Sequence, residues 1–163
     1  MTQTPFPTFN IVLVEPEIPP NTGNIARLCA ATGTNLHLVG KLGFSLDDRY
    51  LKRAGLDYWP HVSLHIWDSL EQLHKDFTES AAGNWWYTSK TADKSYTQAT
   101  FSAGDFIVFG KETKGLPKQL LADNPDNCLL IPLAGTAVRS LNLSTSAGIV
   151  LYEALRQVDT FNV

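Results

Sequence analysis

Short apolar runs alternate with stretches of helical periodicity along the whole chain. Ile11-Val12-Leu13-Val14 is continuously apolar, so residues 10 to 14 read as a strand, and residues 22 to 32 as a helix ended by Gly33. Leu36 to Val39 is a second strand, stopped by Gly40. Ser45-Leu46-Asp47-Asp48 reads as a capping box that opens a short helix ended by Gly55. Val62 to Trp67 alternates as a half-buried strand does, and Asp68 caps a helix that runs to about Ser80. Trp85 to Thr88 is a short strand, followed by a polar loop from Ser89 to Gln98. Phe106 to Phe109 and Leu129 to Ile131 are unbroken apolar strands, the pattern of the buried middle of a parallel sheet. Between them Leu116 to Ala122 makes a short helix with Pro117 in its first turn.

The last helix runs from about Asn142 to Val158. Ala147, Val150, Leu151, Ala154, Leu155 and Val158 form one apolar stripe, with Ile149 and Tyr152 beside it. A helix with two apolar faces packs on its sheet with one and on a partner with the other, which predicts a homodimer through Ile149 and Tyr152. Strand–helix alternation predicts an α/β fold, a mostly parallel sheet flanked by helices, with ligands at the carboxyl ends of the strands. The loops at 15 to 24, 88 to 98, 110 to 116 and 132 to 141 all follow strands, so they gather at one edge.

Composition narrows the class. With 163 residues, no repeat and no linker, residues 1–163 read as a single domain, residues 1–8 being a flexible N-terminal extension. Hydrophobic residues at 44% and charged residues at 18% exclude disorder. No apolar run is long enough for a membrane helix, and the polar, Pro-rich start is no secretory signal. Cys29 and Cys128 sit in apolar contexts without metal spacing, which predicts buried free thiols, a reducing compartment and hence the cytoplasm, with no metal. A net charge of -3 argues against nucleic-acid binding by charge over the whole surface, but leaves local patches. Arg49, Lys52 and Arg53 share one helix face, and Lys111, Lys114 and Lys118 stand together around Glu112. Each patch is either a solvated face or a binding surface.

Two segments carry candidate chemistry. Asn21-Thr22-Gly23-Asn24-Ile25-Ala26-Arg27 follows a strand and an acidic, Pro-rich turn. Asn21 or Thr22 can cap the helix, and Gly23 permits close backbone approach to a ligand. Arg27 then suits a phosphate- or ribose-bearing substrate, the alternative being a capped helix whose Arg pairs with a carboxylate. At the start of the last helix, Arg139, Ser140, Asn142 and Ser144 put a cation, hydroxyls and an amide at a helix N-terminus, either an anion or ribose site or simple capping. Gly110 and Gly115 bracket a loop whose backbone can face a ligand, though its spacing is not that of a Walker A loop. No Gly-x-Ser-x-Gly elbow and no Gly-x-Gly-x-x-Gly fingerprint occurs, and His37, His61, His65 and His74 lie away from the Gly loops.

Taken in register, these blocks resemble the SPOUT superfamily of RNA methyltransferases. The likeness is to the small tRNA ribose 2'-O-methyltransferases that act on the wobble nucleotide, position 34 (the TrmL type). It is carried by Val14-Glu15-Pro16-Glu17-Ile18-Pro19 with Asn21 to Arg27, Leu42-Gly43-Phe44 with Arg53-Ala54-Gly55-Leu56-Asp57-Tyr58, Gly110 to Pro117, and Arg139 to Ser144 with Tyr152-Glu153-Ala154. The resemblance implies an α/β domain with a C-terminal trefoil knot, S-adenosylmethionine as cofactor, and an obligate homodimer with its site near the interface. It implies cofactor contacts at Tyr87, Thr88, Gly110, Glu112, Ile131, Ser140 and Leu141, many of them through the backbone. It implies Arg27 beside the target 2'-hydroxyl, with Asn24, Ser140 and Asn142 completing the catalytic pocket. Arg49, Lys52, Arg53, Lys90, Lys114 and Arg139 would hold the phosphates of a tRNA anticodon stem-loop. Lys111 and Lys114 stand where the family often has Pro and Arg, so charge is kept at 114 but a bidentate contact is not. Ribose methylation of ribosomal RNA, which an extra RNA-binding domain would favour, and a non-catalytic RNA-binding module are the alternatives.

Overall fold

Six strands form one sheet in the order β3-β2-β1-β5-β4-β6, and every neighbouring pair is parallel. In chain order the elements are Asn10–Val14 (β1), Pro19–Thr32 (α1), Asn35–Val39 (β2), Arg49–Gly55 (α2), Leu64–Trp67 (β3), Leu70–Thr78 (α3), Trp85–Thr88 (β4), Phe106–Phe109 (β5), Lys118–Asp123 (α4), Cys128–Leu129 (β6) and Leu143–Gln157 (α5). The structure is a computed structural model that describes residues 8–55, 58–78 and 83–158. The expected extension at 1–8 lies outside these residues except for Thr8, as does the expected helix end at Ser80.

Side-chain alternation in the strands divides the core into two layers. Ile11, Leu13, Leu36, Leu38, Ile107 and Phe109 pack on one face with Ile25, Ala26 and Cys29 of α1 and with α5. Val12, Val39, Tyr87, Phe106 and Val108 pack on the other with Leu73 of α3 and with Leu116. The stripe expected on the last helix is real: Ala147, Val150, Leu151, Ala154 and Leu155 are all buried. Each large aliphatic side chain so placed contributes about 1.5–3 kcal/mol relative to exposure.

Local chemistry shifts several boundaries. α1 begins three residues before the expected start, because Pro19 and Pro20 fit a first turn whose N–H groups have no intrahelical partner. Asn21 and Thr22 are therefore buried inside the helix and do not cap it; Ile18 stands at the cap position without a side-chain bond. Ahead of α2, the Ser45 hydroxyl accepts from the Asp47 N–H, and Asp48 is the true cap, accepting from the N–H groups of Tyr50 at 2.8 Å and Leu51 at 3.3 Å. Ser69 rather than Asp68 caps α3, accepting from the Gln72 N–H at 3.1 Å. β6 is shorter than expected: Ile131 is outside the ladder, and Leu130 instead pairs in an isolated bridge with Ser95.

Candidate active site

The loops after β1 and β5 meet at the point where strand order reverses, the usual crevice for ligands in open parallel sheets. Each loop ties down the other with a carboxylate. Glu112 accepts from the backbone N–H groups of Glu17 at 2.8 Å and Ile18 at 3.1 Å, and from the Asn21 amide at 3.4 Å. Glu17 in turn accepts from the Thr113 hydroxyl at 2.7 Å and N–H at 3.1 Å. Those two Thr113 bonds, with lesser help from Lys111 and Lys114, hold the Glu17 carboxyl below the ordinary range. Glu15, at φ 50, is the one non-glycine with positive φ among the described residues, and its carboxylate lies 3.5 Å from the Lys111 ammonium. Gly110 serves the loop itself: a Cβ there would fall 2.1 Å from the Gly115 carbonyl carbon. That packing closes the turn in which the Gly115 N–H donates to the Lys111 carbonyl at 2.8 Å.

A chain of amides carries this junction to α5. The Asn142 side-chain oxygen accepts from the Ser144 N–H at 2.9 Å and hydroxyl at 2.6 Å, and from the Thr145 N–H at 3.4 Å, capping the helix. Its amide nitrogen donates to the Asn21 oxygen at 3.0 Å. Glu112, Asn21 and Asn142 therefore lock the β5 loop, α1 and α5 together. Glu112 and Asn142, both expected at the site, are joined through a residue expected only as a cap. Between Leu130 and Asn142 the chain behaves differently. Among the described residues, the backbone of 131–141 makes no hydrogen bond, and residues 132–140 are all exposed.

That segment walls a cleft of about 610 Å³, together with Ser95, Tyr96, Thr97 and Ile149. Of the expected cofactor contacts, Ile131 and Leu141 line it. The Tyr87 side chain faces the opposite core layer, where its hydroxyl meets the His74 ring nitrogen at 3.2 Å. Burial, with a smaller effect of Cys128, pushes that phenol up to about 12. The Thr88 hydroxyl donates to the Val108 carbonyl at 3.0 Å. Tyr87 and Thr88 are thus left with backbone groups to offer. Ser95 to Thr97, which also line the cleft, fall in a stretch whose polar composition reads as plain loop. The signal was present as a capping box, in which Ser95 accepts from the Thr97 N–H and Gln98 accepts from the Ser95 N–H.

Arg27 and Asn24 are exposed on α1 and do not line the cleft. The Arg27 guanidinium lies over the Tyr58 ring, 5.0 Å from its centroid, and the expected alternative, pairing with a carboxylate, is not found among the described residues. Arg49 stacks on Tyr50 at 4.8 Å and donates to its hydroxyl at 2.8 Å, and Lys52 pairs with Asp47 at 3.4 Å. Arg53, Lys90, Lys114, Arg139 and Ser140 are exposed. Lys90, Lys114, Arg139 and α2 all follow strands of a parallel sheet, so their connections leave from the same edge. Among the described residues, no group of three or more His, Cys, Asp or Glu is placed to hold a metal ion, and no helix is long and apolar enough to cross a membrane.

Residues 8–152 match the SpoU rRNA Methylase family. A Saccharophagus degradans protein named tRNA (cytidine(34)-2'-O)-methyltransferase is 47% identical over 154 residues, covering 92% of this chain and 96% of the relative. A Geobacillus stearothermophilus protein that carries the same name provisionally is 53% identical over 151 residues, with 91% and 94% coverage. A solved structure described as concerning 2-OH methylation of C/U34 on tRNA superposes with a TM-score of 0.87 at 44% identity, covering 94% of this chain and 97% of that one. An rRNA methyltransferase from Sinorhizobium meliloti with AdoMet bound is 26% identical with a TM-score of 0.80, over 93% of this chain but 57% of that one.

Proposed function

Since the chain belongs to the SpoU methylase family, we propose that it transfers a methyl group from S-adenosylmethionine to the ribose 2'-hydroxyl of the wobble nucleotide, position 34, of tRNA. The cleft carries this reading from the side of the molecule. Its volume of about 610 Å³ lies within the roughly 300–1,000 Å³ usual for small-molecule sites. Leu133, Val138, Leu141 and Ile149 offer an apolar wall to a flat base, and the unbonded backbone of 131–141 offers donors and acceptors to ribose, purine edge and carboxylate. The residues present therefore fit the cofactor. When bound, S-adenosylmethionine supplies a methyl group already activated on a sulfonium, so the protein has to place, orient and exclude water.

Ile131 and Leu141 would hold the cofactor within the cleft, with Ser140, next to Leu141 in the chain, and with Tyr87, Thr88 and Gly110 acting through their backbones. Glu112 serves by fixing the loop rather than by free contact, because its carboxylate already accepts three bonds. Arg27 orients the 2'-hydroxyl or its phosphate and stabilises the developing alkoxide; a guanidinium gives up a proton too reluctantly to be the base. Asn24, Arg139 and Asn142 complete the pocket. Arg49, Lys52, Arg53, Lys90, Lys114 and Arg139 hold phosphates of the anticodon stem-loop, whose single-stranded bases can splay onto the protein. A homodimer through Ile149 and Tyr152 belongs to the same reading. Within one chain Arg27 does not line the cleft, and a second copy seated near the cleft mouth would bring the two parts to one substrate. The C-terminal trefoil knot is part of this proposal too, as is the cytoplasm, where Cys29 and Cys128 stay free.

Two measurements test it. Incubation of tRNA with S-adenosylmethionine should yield ribose methylation at position 34, read by nuclease digestion and mass spectrometry. Arg27→Ala should lower turnover by roughly a hundredfold or more while the calorimetric affinity for S-adenosylmethionine stays within about threefold. Near-normal turnover in that variant refutes the role of Arg27.

A further inference from the structure

Resting on the reading of Arg27 as the group beside the reacting oxygen, we propose that Tyr58 is its positioning residue: the ring face holds the guanidinium and leaves its N–H groups open to an anionic oxygen of the RNA. A guanidinium on a long side chain is held in place either by a carboxylate or by an aromatic face, and the two leave different chemistry behind. Arg156 shows the first way. Its Nε and Nη2 both donate to Glu153, at 2.9 and 2.8 Å, so two of its five donors are occupied and its charge is balanced. Arg49 is intermediate: it stacks on Tyr50 yet gives one N–H to that residue's hydroxyl. Arg27 shows the second way alone. Its Cζ is 5.0 Å from the Tyr58 centroid, and among the described residues no carboxylate, hydroxyl or carbonyl accepts from it.

A stacked guanidinium is gripped by its face, while its five N–H donors radiate in the plane and remain available. Both partners stand on fixed elements. The Tyr58 carbonyl accepts from the His61 N–H at 2.8 Å, opening the 3-10 turn Trp59–His61, and Trp59 packs against the core. α1 is anchored at its start by Glu112 and Asn142. The pair is thus a preset anion receptor whose aim is given by an uncharged ring.

Single-turnover methylation of tRNA separates this from a packing role. Phe at 58, and then Phe carrying one, two and three ring fluorines, keeps the shape while progressively weakening the negative ring face. The inference expects Tyr58→Phe to rescue turnover, each fluorine to lower it further, and Tyr58→Leu to lower it about tenfold, or ~1.4 kcal/mol. The KM for S-adenosylmethionine should not move. In an Arg27→Ala background, Tyr58→Leu should add no further loss. A flat fluorine series, or a Tyr58→Leu loss that persists without Arg27, overturns the inference. If Arg27→Ala is inactive while the fluorine series is flat, the role of Arg27 stands and that of Tyr58 falls. Unchanged turnover in Arg27→Ala, or none in the unsubstituted protein, removes both.

Discussion

His37 is fully buried, its Nδ1 accepting from the Trp67 indole N–H and its Nε2 lying against the Asn10 side-chain oxygen, both at 3.0 Å. An acceptor at Nδ1 requires the proton on Nε2, so the ring is neutral and fully bonded. Burial, helped by nearby His65, pushes its pKa down to about 3. The unfolded chain therefore binds a proton that the folded one refuses between pH 6.5 and about 3, and stability falls as pH drops through that window. By pH ~5 this one group should cost about 2 kcal/mol relative to pH 8. Urea midpoints across that range check it: His37→Gln should lower stability overall but flatten the slope, and equal slopes would sink the account. The sequence reading placed His37 away from the Gly loops, and so it is, but a lone imidazole in an apolar strand does not announce which amide and indole complete it. Asn142 was legible as a cap because its partners are two and three residues away. Glu112 and Asn21 were not, because theirs lie 91 to 121 residues off.

At the level of elements, periodicity located the six strands and five α-helices of the described residues to within a few residues, most plainly where a face is fully buried, as in β1, β5 and α5. It failed where a terminus depends on contacts from elsewhere. α1 starts at Pro19 without a side-chain cap, and the chain just ahead of it is fixed instead by Glu112, which reaches across from the β5 loop to accept from the Glu17 and Ile18 N–H groups. Glu112→Ala should cost about 1–2 kcal/mol in chemical denaturation, and Glu112→Gln, which keeps one acceptor, distinctly less. An unchanged midpoint in Glu112→Ala would show that water satisfies those groups equally well. β6 was overread because apolar identity continues through Ile131 while the ladder stops at Leu129.

For the molecule as a whole, the parallel sheet and the gathering of loops at one edge followed from alternation alone, but the strand order did not. Placing β5 between β1 and β4 is what brings Glu17 and Thr113 together, and no short-range pattern encodes it. The cleft was half legible: Ile131 and Leu141 were expected, whereas Ser95 to Thr97 arrive by the long return of the β4 loop. Leu133, Val138 and Tyr152 are large apolar side chains left exposed on the cleft segment and α5. Sedimentation should accordingly report two chains per particle, and Tyr152→Glu should shift that toward one; a monomeric unsubstituted protein would remove the proposed dimer. The stretch from 131 to 141 has a different consequence. On the proposed reading its peptide groups serve the ligand alongside the side chains of Leu133, Val138 and Leu141, and each residue but Pro132 brings the same donor and acceptor. Its contour is set by path length between two moorings, so replacements at Thr136, whose side chain has no assigned part, should drift cheaply through descent, whereas one added or deleted residue would throw the whole contour out of step.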